Sequence, residues 1–311
     1  MEKKEIYLPN GEVHIVRPDG PIYESKVSFD KPEGLKVQEW VREGKRRQNL
    51  RAETQDNYNY AKIELQSDRP VAIGITGDWH LGSNVDYDMW HRDIDIMAEH
   101  PLVAGNFFMG DLVAAMNFNP GQDEQILNWE EQRQMMTSAL DHVGEERILG
   151  IFKGNHCFKF ERKYGTSKYA ELSQKYNAPV FYGPSFIDMN INDVNYRLMG
   201  SHRLRGNSIY SFSHPATRGH KEYQNLDVVF AGHNHKKGTN SQPMKEFDGA
   251  RKTHSVMIGP YEQSTEYTKD SGWGKQQNAE LGMCWIILNH DKKMVRVEDT
   301  DEMLETMGGY L

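Results

Sequence analysis

Cysteine is nearly absent: Cys157 and Cys284 are the only two in 311 residues, too few for a disulfide framework and suited to a reducing compartment. Long apolar runs are missing as well. None approaches the ~18 residues needed to span a bilayer, so no membrane partner is expected. The opening stretch MEKKEIYLPNGEV has charges but no apolar core, so no secretory signal is read and a cytoplasmic protein is expected. An excess of positive charge is lacking too. With 37 Lys+Arg against 45 Asp+Glu the net charge is -8, which excludes a generic polyanion binder and leaves nucleic acid only a local basic surface or a metal site. Internal repeats and low-complexity tracts are also absent. What remains is a chain with 12 Phe, 15 Tyr and 6 Trp, too aromatic for disorder despite a mean hydropathy of -0.77. A globular, soluble protein is expected.

Residues 1–70 differ from the remainder, since they hold 13 Lys+Arg against 13 Asp+Glu and all of the net charge lies beyond them. The first 30 alternate short apolar pairs with turn residues (Pro9-Asn10-Gly11, Pro18-Asp19-Gly20), as a hairpin-like unit would. A helix is expected from Pro32 to Thr54, with Leu35, Val37, Trp40 and Val41 on one side. Its later turns carry Arg42, Lys45, Arg46, Arg47 and Arg51, the one basic cluster in the chain. A solvated helix face explains that cluster most simply; a phosphate contact or a docking arm for a protein partner are the alternatives.

From residue 71 the pattern is α/β. Strands are expected at 71–76, 102–109, 147–152, 227–231, 253–259, 282–289 and 293–298, with short ones between 179 and 200 and helices near 86–99, 123–144 and 166–176. Four of the strands end in Gly followed by a polar residue able to bind metal: Gly77-Asp78-Trp79-His80, Gly110-Asp111, Gly154-Asn155-His156 and Gly232-His233-Asn234-His235. In an open α/β sheet the carboxyl ends of the strands form the rim where ligands bind, and Gly lets the backbone turn and approach a ligand closely. Neither Asp-x-His nor His-x-His forms a site alone, but at a strand end the turn permits both members to point inward. Carboxylate and amide oxygens mixed with imidazoles suit Mn²⁺, Fe or Zn²⁺. More ligands gather than one tetrahedral ion needs, which argues for two ions sharing a carboxylate. An isolated Asp-x-His or Gly-Asp is commonplace, but all four motifs, in order and each at a strand end, are not. The other histidines, such as His14, His91, His100, His142 and His290, are expected at the surface or at caps.

This ordered set resembles the calcineurin-like metallophosphoesterase superfamily over about residues 71–298. The resemblance implies a four-layer α/β/β/α sandwich, with residues 1–70 as an N-terminal extension and 71–311 as the metallophosphoesterase domain. It implies that Asp78, His80 and His235 hold one divalent metal, that Asn155, His233 and a lone His hold a second, and that Asp111 bridges them. The lone His is His202 or His214; His202 is favoured, because His202-Arg-Leu-Arg-Gly-Asn-Ser is similar to the segment after this motif in phosphoesterases of phage and prokaryotic genomes. For a phage-encoded chain the compartment would be the host cytoplasm. Two departures stand out. Cys157 follows Gly-Asn-His where an acidic residue often tunes the histidine, leaving a thiolate ligand as a minor option. Ala114 stands where repair exonucleases of the superfamily often carry His or Asp, although Gly77-Asp-Trp-His-Leu-Gly is close to their opening motif.

The resemblance therefore implies a dinuclear metal-dependent phosphodiesterase, with manganese favoured over iron or zinc, acting on DNA, RNA or a nucleotide. A hydroxide bridging the two ions would attack phosphorus and His156 would protonate the leaving oxygen. The alternatives are a phosphomonoesterase or small cyclic-nucleotide hydrolase, and a metal-stabilised binding protein without turnover. Tyr261, Tyr267 and Trp273 are candidates to stack on a base, although aromatics more often pack a loop.

Overall fold

A computed structural model describes residues 4–8, 11–16, 36–42, 44–46, 60–115, 125–156, 168–246, 249–263 and 280–311. Its centre is two sheets laid face to face. The first has the order β14-β13-β4-β5-β6-β7, where β4 (Val71–Thr76), β5 (Val103–Phe108), β6 (Ile148–Phe152) and β7 (Val180–Phe181) run parallel. The antiparallel β13 (Cys284–Leu288) and β14 (Val295–Glu298) complete it. The second has the order β1-β2-β3-β8-β9-β10-β12-β11. Within it β9 (Val194–Ser201), β10 (Val228–Ala231) and β12 (Gly249–Met257) are parallel neighbours, and β11 (Gly238–Glu246) pairs antiparallel with β12 at the edge. The hairpin of β1 (Lys4–Leu8) and β2 (Gly11–Val16) joins this sheet through β3 (Tyr60–Leu65), which runs parallel to β8 (Ser185–Ile191).

Strands β4, β5, β6 and β10 are buried along their whole length because both faces are covered, so their sequences read as unbroken apolar runs rather than alternations. Between the sheets, Ile73, Ile75, Phe107 and Phe152 pack against Ile187, Leu198 and Phe230. Phe107 and Phe152 both lie against Phe230, with ring centroids 5.5 and 5.8 Å away. Each such side chain contributes ~1.5–3 kcal/mol by leaving water.

Outside the six-stranded sheet lie α1 (Tyr87–Glu99), α2 (Trp129–Val143), α3 (Lys168–Lys175) and α5 (Thr300–Gly308), burying Trp90, Ile94, Leu140 and Met303 in a second cluster. Outside the other sheet lies α4 (His214–Glu222), whose Ala216 packs with Met199, Val229 and Met257. Helices on both outer faces of two stacked sheets give four layers, α/β/β/α, as expected.

Several local expectations are refined. The helix read over 123–144 starts at Trp129, where Asn128 and Glu131 form a reciprocal capping box; residues 125–128 are not helical. Of the helix expected at 32–54, residues 37–42 and 44–46 are helical, and the rest lies outside the described residues. The strand expected from 253 begins at Gly249 and forms a hairpin with β11. β3, β11 and α5 had not been anticipated. No helix among the described residues is long and apolar enough to cross a membrane.

Candidate metal centre

The carboxyl ends of β4, β5 and β6 lie side by side in one sheet and those of β9 and β10 in the other. Asp78 and His80 follow β4, Asp111 follows β5, and Asn155 and His156 follow β6. From the facing sheet come His202 after β9 and His233 and His235 after β10. Side-chain ligand atoms of Asp78, His80 and His235 lie within 4.8 Å of one another; so do those of His80, Asp111 and His156, and those of Asp111, His202 and His233. The structure thus brings all of these predicted residues together. Asn155 joins them through its Oδ1, 2.9 Å from His202 Nε2. His214, the alternative to His202, is instead an exposed residue at the start of α4, behind the N-cap Ser213.

The backbone explains how residues two apart can both point inward. Asp78, His80, Asp111, His233 and His235 all have φ between 48° and 71°, the left-handed region, which costs a non-glycine residue ~1–2 kcal/mol each. Glycines were expected to make the turns; the structure gives most of that work to the ligands themselves. Gly110 does turn left-handed, at φ 91°. The glycine of Gly-Asn-His serves close approach: a Cβ on Gly154 would collide with the backbone nitrogen and Oδ1 of Asp111. Backbone bonds lock the strained loops together, with Asp78 N–H donating to Gly110 O (2.9 Å), His80 N–H to Asp111 O (3.0 Å) and Gly232 N–H to His202 O (3.2 Å).

Hydrogen bonds fix several of these side chains in place. Asp78 accepts from His233 N–H through Oδ2 at 2.6 Å, a tie between the sheets, while its buried Oδ1 has no hydrogen-bond partner. Asp111 Oδ1 accepts from His156 N–H at 2.8 Å; its Oδ2 lies 3.2 Å from His202 Nε2. His202 Nδ1 donates to Met109 O at 2.6 Å, aiming Nε2 at Asp111 and Asn155. His156 Nδ1 donates to Ala114 O at 2.7 Å, leaving its Nε2 for chemistry. His80 Nε2 and His235 Nε2 face each other at 2.9 Å, and His80 Nδ1 is buried without a partner.

The electrostatics are those of a site that needs positive charge. Burial pushes the Asp78 carboxyl up to about 7, against the pull of His202. Burial works against the Asp111 carboxylate too, but His202, hydrogen-bonded to it and closer to it than to Asp78, holds it well below the usual carboxylate range. In return His202 rises to about 9, the Asp111 charge overcoming its burial. Burial and neighbouring imidazoles hold His80 and His233 down, His233 to about 4, so both offer neutral nitrogens. Orphaned Asp78 Oδ1, the opposed His80 and His235 nitrogens and an ionised Asp111 between the two groups together fit divalent cations.

Two contributors had no motif. The Ala114 carbonyl orients His156, work for which an acid at position 157 would have been the expected device; being backbone, it leaves no mark on the residue type. Cys157 itself lies outside the described residues. Glu262, on the loop after β12, accepts from Ser83 Oγ and places its other oxygen 3.9 Å from His235 Nδ1; a lone acid 27 positions past its histidine carries no sequence signal. Of the two readings offered for Tyr261, packing is the one the structure shows. It is fully buried and donates to Asp93 Oδ2 at 2.7 Å, so it is core and not a base-stacking surface. Tyr267 and Trp273 lie outside the described residues.

The two-sheet sandwich agrees with the fold expected from the motif resemblance. No family model matches the chain, and no curated protein does. Solved structures with a similar course include Vps29 of Chaetomium thermophilum, at 9% identity over 73% of this chain and 96% of that one, TM-score 0.34. A nuclease MPE of Pseudomonas putida matches at 11% identity over 75% and 86% of the two chains, TM-score 0.31. A metallophosphoesterase from Sphaerobacter thermophilus matches at 10% over 77% and 94%, TM-score 0.38.

Proposed function

We propose that the protein is a dinuclear metal-dependent phosphodiesterase acting on nucleic acid or a nucleotide. The observation that carries this reading is the sharing of Asp111 and His80 among three overlapping ligand groups, since one carboxylate between two sets of imidazoles is what a pair of cations requires. Asp78, His80 and His235 would hold one ion, Asn155, His202 and His233 the other, and Asp111 both. Divalent cations, Mn²⁺ in the first place, would supply activation of water and neutralisation of the phosphoryl charge.

The chain's own residues do the remainder. The left-handed loops pre-set the ligand directions, so little reorganisation accompanies loading. The bond of His156 Nδ1 to Ala114 O sets the direction of the ring, and a proton on its Nε2 serves the departing alkoxide as general acid, worth ~10²–10⁴-fold. That proton matters most for a poor leaving group such as a sugar hydroxyl.

The test is hydrolysis of bis-p-nitrophenyl phosphate against p-nitrophenyl phosphate by metal-stripped protein refilled with Mn²⁺. Diester turnover that requires the metal supports the proposal. A preference for the monoester would replace it with a phosphomonoesterase, and two bound metals without turnover on either would favour a metal-stabilised binding protein.

A further inference from the structure

The loop that leaves the metal centre after His202 ends in a group of side chains the proposed chemistry does not use. Ile209 and Tyr210 are 75% and 93% exposed, and Phe212 is 41% exposed. Large apolar side chains held this far into water usually mark a contact surface. They stand on a formed turn: Tyr210 N–H and Ser211 N–H both donate to Ser208 Oγ, at 3.1 and 3.3 Å. Phe212 is seated against the segment that leaves the other histidine pair, because a Cβ on Gly238 would come within 2.8 Å of its Cβ. Lys236, next in sequence to His235, sits over the Phe212 ring at 5.4 Å. On the other side Arg203, next to His202, is exposed, and its charge is felt at His233.

Charge points to the occupant. In a chain of net charge -8 there is no Asp or Glu between Asp193 and Glu222, nor between Asp227 and Glu246. Those two acid-free segments contain His202, His233 and His235 and every residue of this surface. A cation over a partly exposed ring and a second cation next to a metal-site histidine, beside a site that would hold a phosphodiester, match a strand whose phosphates and bases alternate. An acidic protein surface would use the cations but has little need of a ring as exposed as Tyr210.

Building on the phosphodiesterase reading, we infer that Tyr210 and Phe212, with Arg203 and Lys236, form a stacking platform for an unpaired nucleobase next to the cleaved phosphate, so that the substrate is single-stranded nucleic acid. The rings take the base and the cations take the flanking phosphates. A base inside a duplex is already stacked on both faces, so the platform discriminates against double strands.

The test is fluorescence anisotropy of the full chain with a labelled single-stranded oligonucleotide, an abasic oligomer of equal charge, and a blunt duplex. Ca²⁺ replaces the catalytic cation so that the strand stays intact. The expected result is that the base-bearing strand binds tightest and that Tyr210→Ala weakens it roughly 10-fold or more. Tyr210→Trp restores the affinity, and the abasic oligomer is bound alike by all three proteins. Lys236→Ala should instead weaken every strand and lower the salt slope by about 1. Equal affinity for base-bearing and abasic strands, no measurable binding of the single strand, or a preference for the duplex would each overturn the platform. Thermal melts of each variant separate lost contacts from lost folding. Because binding is read without turnover, a failed platform leaves Mn²⁺-dependent hydrolysis of bis-p-nitrophenyl phosphate standing, whereas absence of that hydrolysis would condemn the diesterase reading itself.

Discussion

The two sheet edges that meet at the metal centre are built differently. The six-stranded sheet delivers both carboxylates, Asp78 and Asp111, on buried loops cross-bonded through Gly110 O and Asp111 O. The eight-stranded sheet delivers only imidazoles, and its loops go straight on to the exposed Arg203 and Tyr210 and the half-buried Lys236. One edge is suited to holding cations and excluding water; the other is suited to receiving an anion from solvent. The division follows from the physics of burial. Carboxylates as deep as Asp78 and Asp111 are tolerable only with permanent positive partners, whereas Arg and Lys can stay hydrated at a rim until a substrate arrives.

The sharpest way to break this comparison is at the shared carboxylate. Asp111→Asn keeps the shape but removes the charge facing His202; diester turnover should fall by about 10³-fold or more, and metal analysis should find the bound ions lost with it. Next is Gly154→Ala, on the same edge, which drives a methyl group into Asp111. It should cost ~1–3 kcal/mol of stability in denaturant melts and release metal, whereas overpacking at the solvated edge should be absorbed. His156→Gln should lower turnover of a dinucleotide ~10²–10⁴-fold and that of bis-p-nitrophenyl phosphate much less, with metal content unchanged. Chelation should lower the melting temperature by several degrees, since ligand at 100 times Kd contributes ~2.7 kcal/mol and a chain of this size shifts by ~2–4 °C per kcal/mol. The smallest effect is expected from Tyr261→Phe. It strips one hydrogen bond from buried Asp93, which keeps the one from Thr300 Oγ1, at a cost of ~0.5–1.5 kcal/mol, and should leave metal affinity as it was.

Much of the centre was legible because its residues follow apolar strands in a fixed order, and strand ends can be read from Gly74-Ile75-Thr76 or Phe230-Ala231 without knowing the sheet order. His202 was separable from His214 on its neighbours, and the structure puts the two on different elements. What could not be read lies in backbone and in polar edges. Nothing in the letters Asp78 or His235 announces a left-handed φ, and the Ala114 carbonyl is the same on any residue. β11 was missed because an edge strand tolerates Pro243 and polar residues on its open side, which removes the apolar pattern that marks its neighbours. α5 is short, and its buried Met303 and Met307 make too narrow a stripe to stand out from the acidic residues around them.

The most direct measurement is the number of divalent ions each chain binds, by Mn²⁺ titration followed by calorimetry and elemental analysis, on the native protein and on Asp111→Asn. Two Mn²⁺ per chain, both weakened by the single substitution, is the predicted result. One ion, or two that ignore Asp111, would contradict a shared carboxylate between the two sheet edges.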